Sequence, residues 1–415
     1  MRGCLFLLCI SFQLLAAEGS LSFEQALTAI VEQSPVVASQ RAIQEAASAR
    51  SLPSRLALLP SLSAEASTTR STDSAQSGRG LNATAQLNLF RFGADYADMR
   101  AASAEVAREG LRTEDAILKA EAEGVRVLVA FIQSRRELEI LKQMVKVREE
   151  SVRIAQERYR RGLMASQESD KVVVDRDNER ARLKDSEASA ARATADLAAA
   201  LGSHAVLAEW PWKESLNSRR DILEKETSSL SQRPDWRAEE KKVEAARLRK
   251  RQAWGKMFPS VDANIKYGYF QQQNADQGGS QWSGGVVLSI PLFDRLTNFS
   301  AYKGLVHDES SAQANLEKIR REAKSEWESA KASFQFSLDS ATVRESTLAI
   351  SRKLFQDNFS RFQRGLVSAD DLLIDYRRLY DSESLTIAGW ATAHTQFTKL
   401  CHSIGMRVSK CLQVR

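Results

Sequence analysis

The side chains best suited to chemistry are too scattered in this sequence to form a reaction centre. The chain has four histidines: His204, His307, His394 and His402. They stand apart and lack zinc-ligand spacing, although His394 and His402 could share one helix face. The sequence also lacks a phosphate-binding loop and a Gly-x-Ser-x-Gly motif. We therefore predict no catalytic residue, no metal site and no cofactor, and we expect that the protein is not an enzyme.

The N-terminus has the pattern of a secretory signal peptide. Arg2 precedes an apolar run over 5–15, and small residues follow it. This predicts a signal peptide at 1–17, cleaved between about residues 17 and 20, with a buried N-terminal helix as the alternative. The mature chain would keep only Cys401 and Cys411, which could pair in an oxidising compartment but make no disulfide framework. Export with so few cysteines favours a bacterial periplasm or outer membrane.

The composition limits the possible partners and the fold class. The net charge of +6 is small beside 59 basic and 53 acidic residues, so we predict no nucleic-acid partner. No run of 18 apolar residues exists, which predicts no transmembrane helix. The few prolines and the abundance of Ala, Glu, Arg and Leu predict a mostly helical protein.

The chain repeats one unit. The segment 159–163 recurs in similar form at 362–366, and Gly202 recurs as Gly405, both with a spacing of 203 residues. A duplication that keeps its internal distances predicts two copies of one structural unit. We predict a first repeat at 22–202, a link with a minimal equatorial region at 203–232, a second repeat at 233–405 and a short tail at 406–415.

Each repeat reads as a helix, a hairpin, a very long helix and a return helix. In the first repeat we predict helices at 22–33, 35–58, 94–160 and 168–201, and in the second at 235–257, 297–363 and 369–401. A helix of 67 residues would extend about 100 Å. The shorter helices of a repeat together nearly match that length, so we expect them to stack end to end along the long one.

Four segments alternate between small apolar and polar residues with a period of two: 62–68, 81–89, 261–269 and 282–290. Aromatic residues lie towards their ends: Phe90, Phe92 and Phe293 at one edge, and Tyr267, Tyr269 and Trp282 nearer the other. Strands of about ten residues with one apolar face fit a membrane barrel with a wet lumen. A soluble sheet packed on helices is the alternative. Four strands cannot close a barrel, and we favour three chains and twelve strands because eight strands leave no channel.

This arrangement resembles the TolC-like outer-membrane efflux family. The resemblance depends on the order of the duplicated unit, the Pro-Ser junctions at 58–62 and 257–261, the segment 288–294, and the glycine-leucine turns. It implies an α+β membrane protein that forms a homotrimer in the bacterial outer membrane. A 12-stranded barrel in outer-membrane lipid would continue into a periplasmic α-barrel. It also implies a periplasmic adaptor protein and an inner-membrane transporter as partners, with passive transport through this component.

The resemblance further implies a gate at the periplasmic tips. Family members commonly carry an acidic residue six positions after the glycine of the second turn, and Asp371 stands six after Gly365. Family members commonly carry another acidic residue nine positions after this glycine. This chain has Ile374 there instead, although Asp370 and Asp375 lie close by in the sequence. Three copies of Asp371 would form a ring that selects cations and resists closure by like-charge repulsion.

Glu168 holds the equivalent position in the first repeat, six residues after its turn glycine. The alternative for Asp370 and Asp371 is that they only cap the return helix, since Asp is favoured near helix N-termini. The exposed turns are also predicted to contact the adaptor: Gly162, Leu163, Gly365 and Leu366.

Two functions follow from these observations. The first is a passive exit duct of a tripartite efflux or type I secretion system. The alternative is a periplasmic coiled-coil adaptor or structural protein without a pore, which would also have long helical hairpins.

Overall fold

The computed structural model describes residues 21–70, 78–203, 216, 227–272 and 279–413. The predicted signal peptide and most of the predicted 203–232 link lie outside the described residues.

The elements follow one another twice in the same order. The first repeat contains α1 (Phe23–Gln33), α2 (Pro35–Arg55), β1 (Ser61–Thr69), β2 (Gly78–Phe90), α3 (Ala94–Arg160) and α4 (Ser166–Leu201). The second contains a 3₁₀ helix (Thr227–Gln232), α5 (Pro234–Gly255), β3 (Ser260–Gln272), β4 (Gly279–Ser289), α6 (Thr297–Gln363), α7 (Ala369–Ser403) and α8 (Val408–Gln413). The two predicted 67-residue helices are confirmed at both ends.

Several boundaries differ from the predicted ones by one to three residues, and one helix was not predicted. Helix α2 ends at Arg55 rather than at residue 58, and turns lead from there to Pro60, before which the α conformation is disfavoured. Strand β2 begins at Gly78, since 78–80, predicted as turn, pairs with both neighbouring strands. The short helix α8 was missed, because its cap comes from a distant part of the chain.

That cap is Glu121 of α3. Its carboxylate accepts hydrogen bonds from the backbone N–H of Val408 at 2.9 Å and from the Ser409 hydroxyl at 3.4 Å, and it pairs with Arg407 at 3.2 Å. Burial raises the pKa of Glu121, and Arg407 offsets part of that rise. The tail therefore docks on the middle of α3.

The short helices stack end to end along the long ones, as predicted. Helices α2 and α4 both pack on α3, while α5 and α7 both pack between α3 and α6. Close approach of α1 to α3 needs a glycine, since a Cβ on Gly124 would lie 2.9 Å from Leu27 Cδ1. Among the described residues, no helix is both long and apolar enough to span a membrane.

Among the described residues, two large clusters of buried side chains and a small one around Val31, Val37 and Ala120 hold this helical body together. The larger lies where the short helices meet and contains Phe334, Trp390 and Phe397. Cys401 and Cys411 are both buried in it and are not joined to each other by a disulfide. The second cluster lies nearer the tips and contains Phe362 and Tyr376.

The four strands form one antiparallel sheet in the order β1-β2-β3-β4. Its register places Ser63, Thr84, Lys266 and Ser283 in one row and Ala64, Ala83, Tyr267 and Trp282 in the next. The predicted polar and apolar faces are therefore confirmed. No helix of the described chain packs on the sheet, and all of β4 is exposed, so the alternative of a soluble sheet covered by helices is wrong. Strands β1 and β4 are left as unpaired edges.

The passage from sheet to long helix is the same in both repeats despite different sequences. Phe92 and Gly93 have φ of 46° and 76°, and their counterparts Arg295 and Leu296, 203 residues later, have 55° and 63°. Left-handed backbone costs little at glycine and more at leucine. The second repeat therefore keeps the turn at the cost of local strain.

Candidate gate at the helical tips

Each long helix ends in the same glycine turn. Gly162 and Gly365 have φ of 73° and 80°, a conformation that strains any residue with a Cβ. The backbone N–H of Leu163 bonds to the Arg158 carbonyl at 2.9 Å, and that of Leu366 bonds to the Arg361 carbonyl at 3.0 Å, which closes a Schellman motif in each repeat.

These turns present apolar side chains at the very end of the molecule. Leu163 is 74 % exposed and Leu366 is 70 % exposed. Exposed leucines on rigid turns are the kind of group that a protein partner buries. The predicted adaptor-contact residues therefore share one tip of the described chain.

Asp371 lies in the first turn of α7 and takes part in its cap. The Ser368 hydroxyl accepts a hydrogen bond from the Asp371 backbone N–H at 3.1 Å and donates one to the Asp371 carboxylate at 2.7 Å. The capping role weighed from the sequence is therefore present. The carboxylate also remains exposed, so the cap leaves it able to act on passing ions.

Asp370 connects the two repeats. Its carboxylate pairs with Lys171 of α4 at 3.2 Å, and both side chains are largely exposed. Solvent screening makes such a pair weak, typically 0–1 kcal/mol. Glu168 lies half-buried in the first turn of α4, three residues before Lys171.

Asp375 has a different environment from the other acidic residues. It is buried, its carboxylate accepts hydrogen bonds from Asn358 and Arg378, and the Arg378 contact is 2.8 Å. These contacts fix Asp375 between α6 and α7 within one chain. It is positioned to hold the helix behind Asp371 rather than to face an open space.

Sequence reasoning missed Arg158. Its guanidinium donates to the backbone carbonyls of Phe362 and Gln363, the latter at 3.4 Å, and lies 4.8 Å from the Phe362 ring centroid. A cation at the carboxyl end of a helix stabilises the unpaired carbonyls there. The basic last turn of α3 was a visible signal, but its target on the other repeat was not.

A buried polar cluster joins the repeats above the tips. The Arg148 guanidinium of α3 lies 3.6 Å from the ring centroid of Tyr376 of α7. Burial lowers the pKa of Arg148 and raises that of Tyr376. Burial also raises the pKa of the neighbouring Glu179 carboxyl on α4, against the opposing charge of Arg182.

The described residues contain no group of three or more His, Cys, Asp or Glu side chains placed to hold a metal ion. The chemistry available at the tips is electrostatic. Exposed carboxylates of Asp370 and Asp371 lie there, and Arg158 and Lys171 link the two repeats.

The fold and tips define a class: an outer-membrane channel whose strands join a barrel and whose long hairpins extend into the periplasm. The chain belongs to the outer membrane efflux protein family, which matches residues 26–203 and 227–405. The resemblance inferred from the sequence and the outer-membrane location are thereby confirmed. Comparison with curated protein sequences finds no match.

Solved channels share the fold at low identity. The chain is 16 % identical to CusC, with a TM-score of 0.80 and 92 % of each chain covered. It is 18 % identical to VceC of Vibrio cholerae, with a TM-score of 0.75 and coverage of 93 % and 96 %. It is 14 % identical to the CmeC outer membrane channel of Campylobacter jejuni, with a TM-score of 0.80 and coverage of 92 % and 85 %. The predicted fold class is confirmed.

Proposed function

We propose that three copies of this chain form a passive exit duct through the outer membrane. The observation that carries the proposal is the four-stranded sheet, which has one polar face, one apolar face and two unpaired edges. Open edges are not tolerated in lipid, so β4 of one chain must pair with β1 of the next. Three chains give twelve strands, enough for an open lumen lined by the polar rows.

The remaining parts of the proposal concern what the duct connects. Its helical hairpins would receive substrates from an inner-membrane pump through a periplasmic adaptor, which would bind the tips around Leu163 and Leu366. Efflux and type I secretion both fit such a duct, and family membership supports efflux. A coiled-coil adaptor without a pore, the alternative, gives no role to a sheet whose apolar face is bare within the chain.

We also propose that Asp371 forms the gate ring, with Asp370 and Glu168 adding negative charge. Like charges brought together at the tips repel one another, and this opposes closure. Lys171 and Arg158 counter that repulsion by binding Asp370 and the end of α6. Asp375 fixes the helix that carries the ring. The closed tip would then be a balance of like charges and cationic links.

Disulfide scanning tests the trimer. In a background with both native C-terminal cysteines replaced by serine, Ser283→Cys on the β4 edge is combined in turn with Ser61→Cys, Ser63→Cys and Ser67→Cys on β1. After oxidation, we expect at least one pair to give disulfide-linked species on a non-reducing gel, the largest of which contains three chains. Thr84→Cys with Ser283→Cys is the control, because β2 is already flanked on both sides. If the largest linked species contains two chains, or if no pair gives linked chains, the proposal is contradicted.

A further inference from the structure

Helix α5 carries three arginines that bind no carboxylate within the described residues: Arg237 near its start, and Arg247 and Arg251 nearer its end. Four basic residues of this stretch bind carboxylates: Lys241 binds Glu244 at 2.8 Å, Lys242 binds Glu239 at 3.0 Å, Arg249 approaches Glu105 at 3.7 Å, and Lys250 binds Glu309. Arg247 and Arg251 have no such partner within the described residues, and both are exposed. Their charge is therefore available to a ligand.

Both arginines line a cavity of about 460 Å³ between α3, α5 and α6. Arg100 supplies a third guanidinium, which hydrogen-bonds the Tyr96 hydroxyl at 3.4 Å. Glu244 is the one carboxylate in the lining; Lys241 binds it at 2.8 Å, and Arg100 approaches it at 4.0 Å. The cavity consequently has an excess of positive charge.

The lining also contains apolar and aromatic side chains. Leu248, Trp254 and Tyr302 line the cavity together with Lys250, which binds Glu309, and Trp254 is 44 % exposed. A site that combines several guanidinium groups with aromatic side chains suits an amphipathic anion better than a simple ion.

An aromatic row connects this cavity to the apolar face of the sheet. The ring centroids of Trp254 and Phe258 lie 4.5 Å apart, those of Phe258 and Phe92 4.8 Å, and those of Phe92 and Phe90 4.9 Å. Phe90 pairs with Val261 on the apolar face. Aromatic rings therefore run without a break from the cavity to the apolar face of the sheet.

Arg251 lies at the depth of lipid headgroups, and Arg247 lies about two helical turns further into the periplasm than the end of the helix. At 1.5 Å per residue, Arg251 lies about 6 Å and Arg247 about 12 Å below the end of α5. The headgroup region adds about 5–8 Å beyond the hydrocarbon on each side of a bilayer. Arginines just outside an aromatic belt lie where lipid phosphates are found.

We propose that this cavity binds the phosphate of an anionic phospholipid of the periplasmic leaflet, with Arg247 and Arg251 as its ligands. The inference depends on the proposed function, since the sheet must lie in the bilayer. Guanidinium groups bind phosphate oxygens in a bidentate manner. The acyl chains would follow the aromatic row from Trp254 towards Phe90. The lipid would thus fix the depth of each chain in the membrane.

Native mass spectrometry of the detergent-solubilised trimer tests the site with phosphatidylglycerol and phosphatidylcholine as probes. We expect the trimer to retain phosphatidylglycerol preferentially, and Arg247→Gln and Arg251→Gln each to weaken retention about fivefold. Arg237→Gln is the matched control: Arg237 is exposed on the same helix, about 21 Å from Arg251 along the axis and about 40° around it. It should leave retention unchanged.

Three results would overturn the proposal: equal retention of the two lipids, an equal effect of the control substitution, or displacement of the lipid by millimolar inorganic phosphate, which would indicate a free-anion site. Planar-bilayer conductance of the same proteins separates this failure from that of the proposed function. If the variant with both Arg247→Gln and Arg251→Gln forms conducting trimers but binds lipid like the wild type, only the lipid-site proposal is contradicted.

Discussion

At the residue scale, Arg233 shows how one buried charge joins three helices. It is 4 % exposed and lies just before α5. Its guanidinium donates to Asp235 at 2.7 Å, to Glu326 of α6 at 2.9 Å and to the Ser403 carbonyl at the end of α7 at 3.1 Å. The point where α5 and α7 meet is therefore held by one side chain. A buried guanidinium that loses its partners is strongly destabilising.

Asp235→Asn should lower the free energy of unfolding by about 1–3 kcal/mol at pH 7. Burial opposes ionisation of Asp235, but the hydrogen bonds and charge of Arg233 outweigh it and lower the pKa of this carboxyl. The stabilisation is therefore present above the unfolded pKa of about 3.9 and is lost as pH falls below it. Thermal unfolding followed by circular dichroism at pH 7 and near pH 3 should show the gap between variant and wild type shrinking in acid.

Glu326→Gln is the control for this prediction. Its side chain is 55 % exposed, so solvent replaces much of what the substitution removes and the loss should be smaller. An Asp235→Asn variant as stable as wild type at pH 7, or a gap that does not change with pH, would contradict this account of Arg233.

At the element scale, polar side chains join the two hairpins at their tips, in addition to the apolar clusters that the hairpins share. Arg158 binds the end of α6, and Lys171 binds Asp370 at the start of α7. Further from the tips, the Arg148 guanidinium packs on the Tyr376 ring. Movement of the tips therefore requires these polar contacts to break, while the apolar clusters that both hairpins share hold the rest of the helical body together.

Arg158→Ala combined with Lys171→Ala should let the tips move apart. Spin labels on Leu163→Cys and Leu366→Cys, in trimers that carry one labelled chain, would report the distance by double electron–electron resonance. We expect a longer and broader distribution than in the parent protein, because both cationic links between the repeats are removed.

Arg361→Ala provides the matched control, since Arg361 is the counterpart of Arg158 in the second repeat and its side chain is exposed. The control should keep the parent distribution. Equal broadening by Arg361→Ala, or an unchanged distance in the double variant, would show that Arg158 and Lys171 do not hold the tips.

At the scale of the whole molecule, local rules predicted most of the architecture. The long helices are uninterrupted by proline and end at glycines, so Ala94–Arg160 and Thr297–Gln363 could be read directly. Period-two alternation gave the strands and their faces. Local sequence could not give the partners of Arg158 and Glu121, nor the Glu326 and Ser403 partners of Arg233, because these lie far away in the chain and are set by how the repeats pack.

The sequence predicted the location of the candidate site but not the contacts of its residues. The glycine turns located the tips, and the spacing from Gly365 singled out Asp371. Nothing in the sequence showed that Asp375 is buried between Asn358 and Arg378 while Asp370 faces Lys171. Whether Asp371 acts as a gate is a question about three chains, and it needs a measurement on the assembled protein.

Single-channel recording in planar bilayers tests the central claim most directly. We predict that the purified wild-type protein forms a cation-selective pore of low conductance, because the carboxylates at the tips attract cations while the closed tips limit flow. Asp371→Ala should raise the conductance and reduce the selectivity. A protein that inserts but gives no pore would contradict the account, and a pore unchanged by Asp371→Ala would contradict the gate.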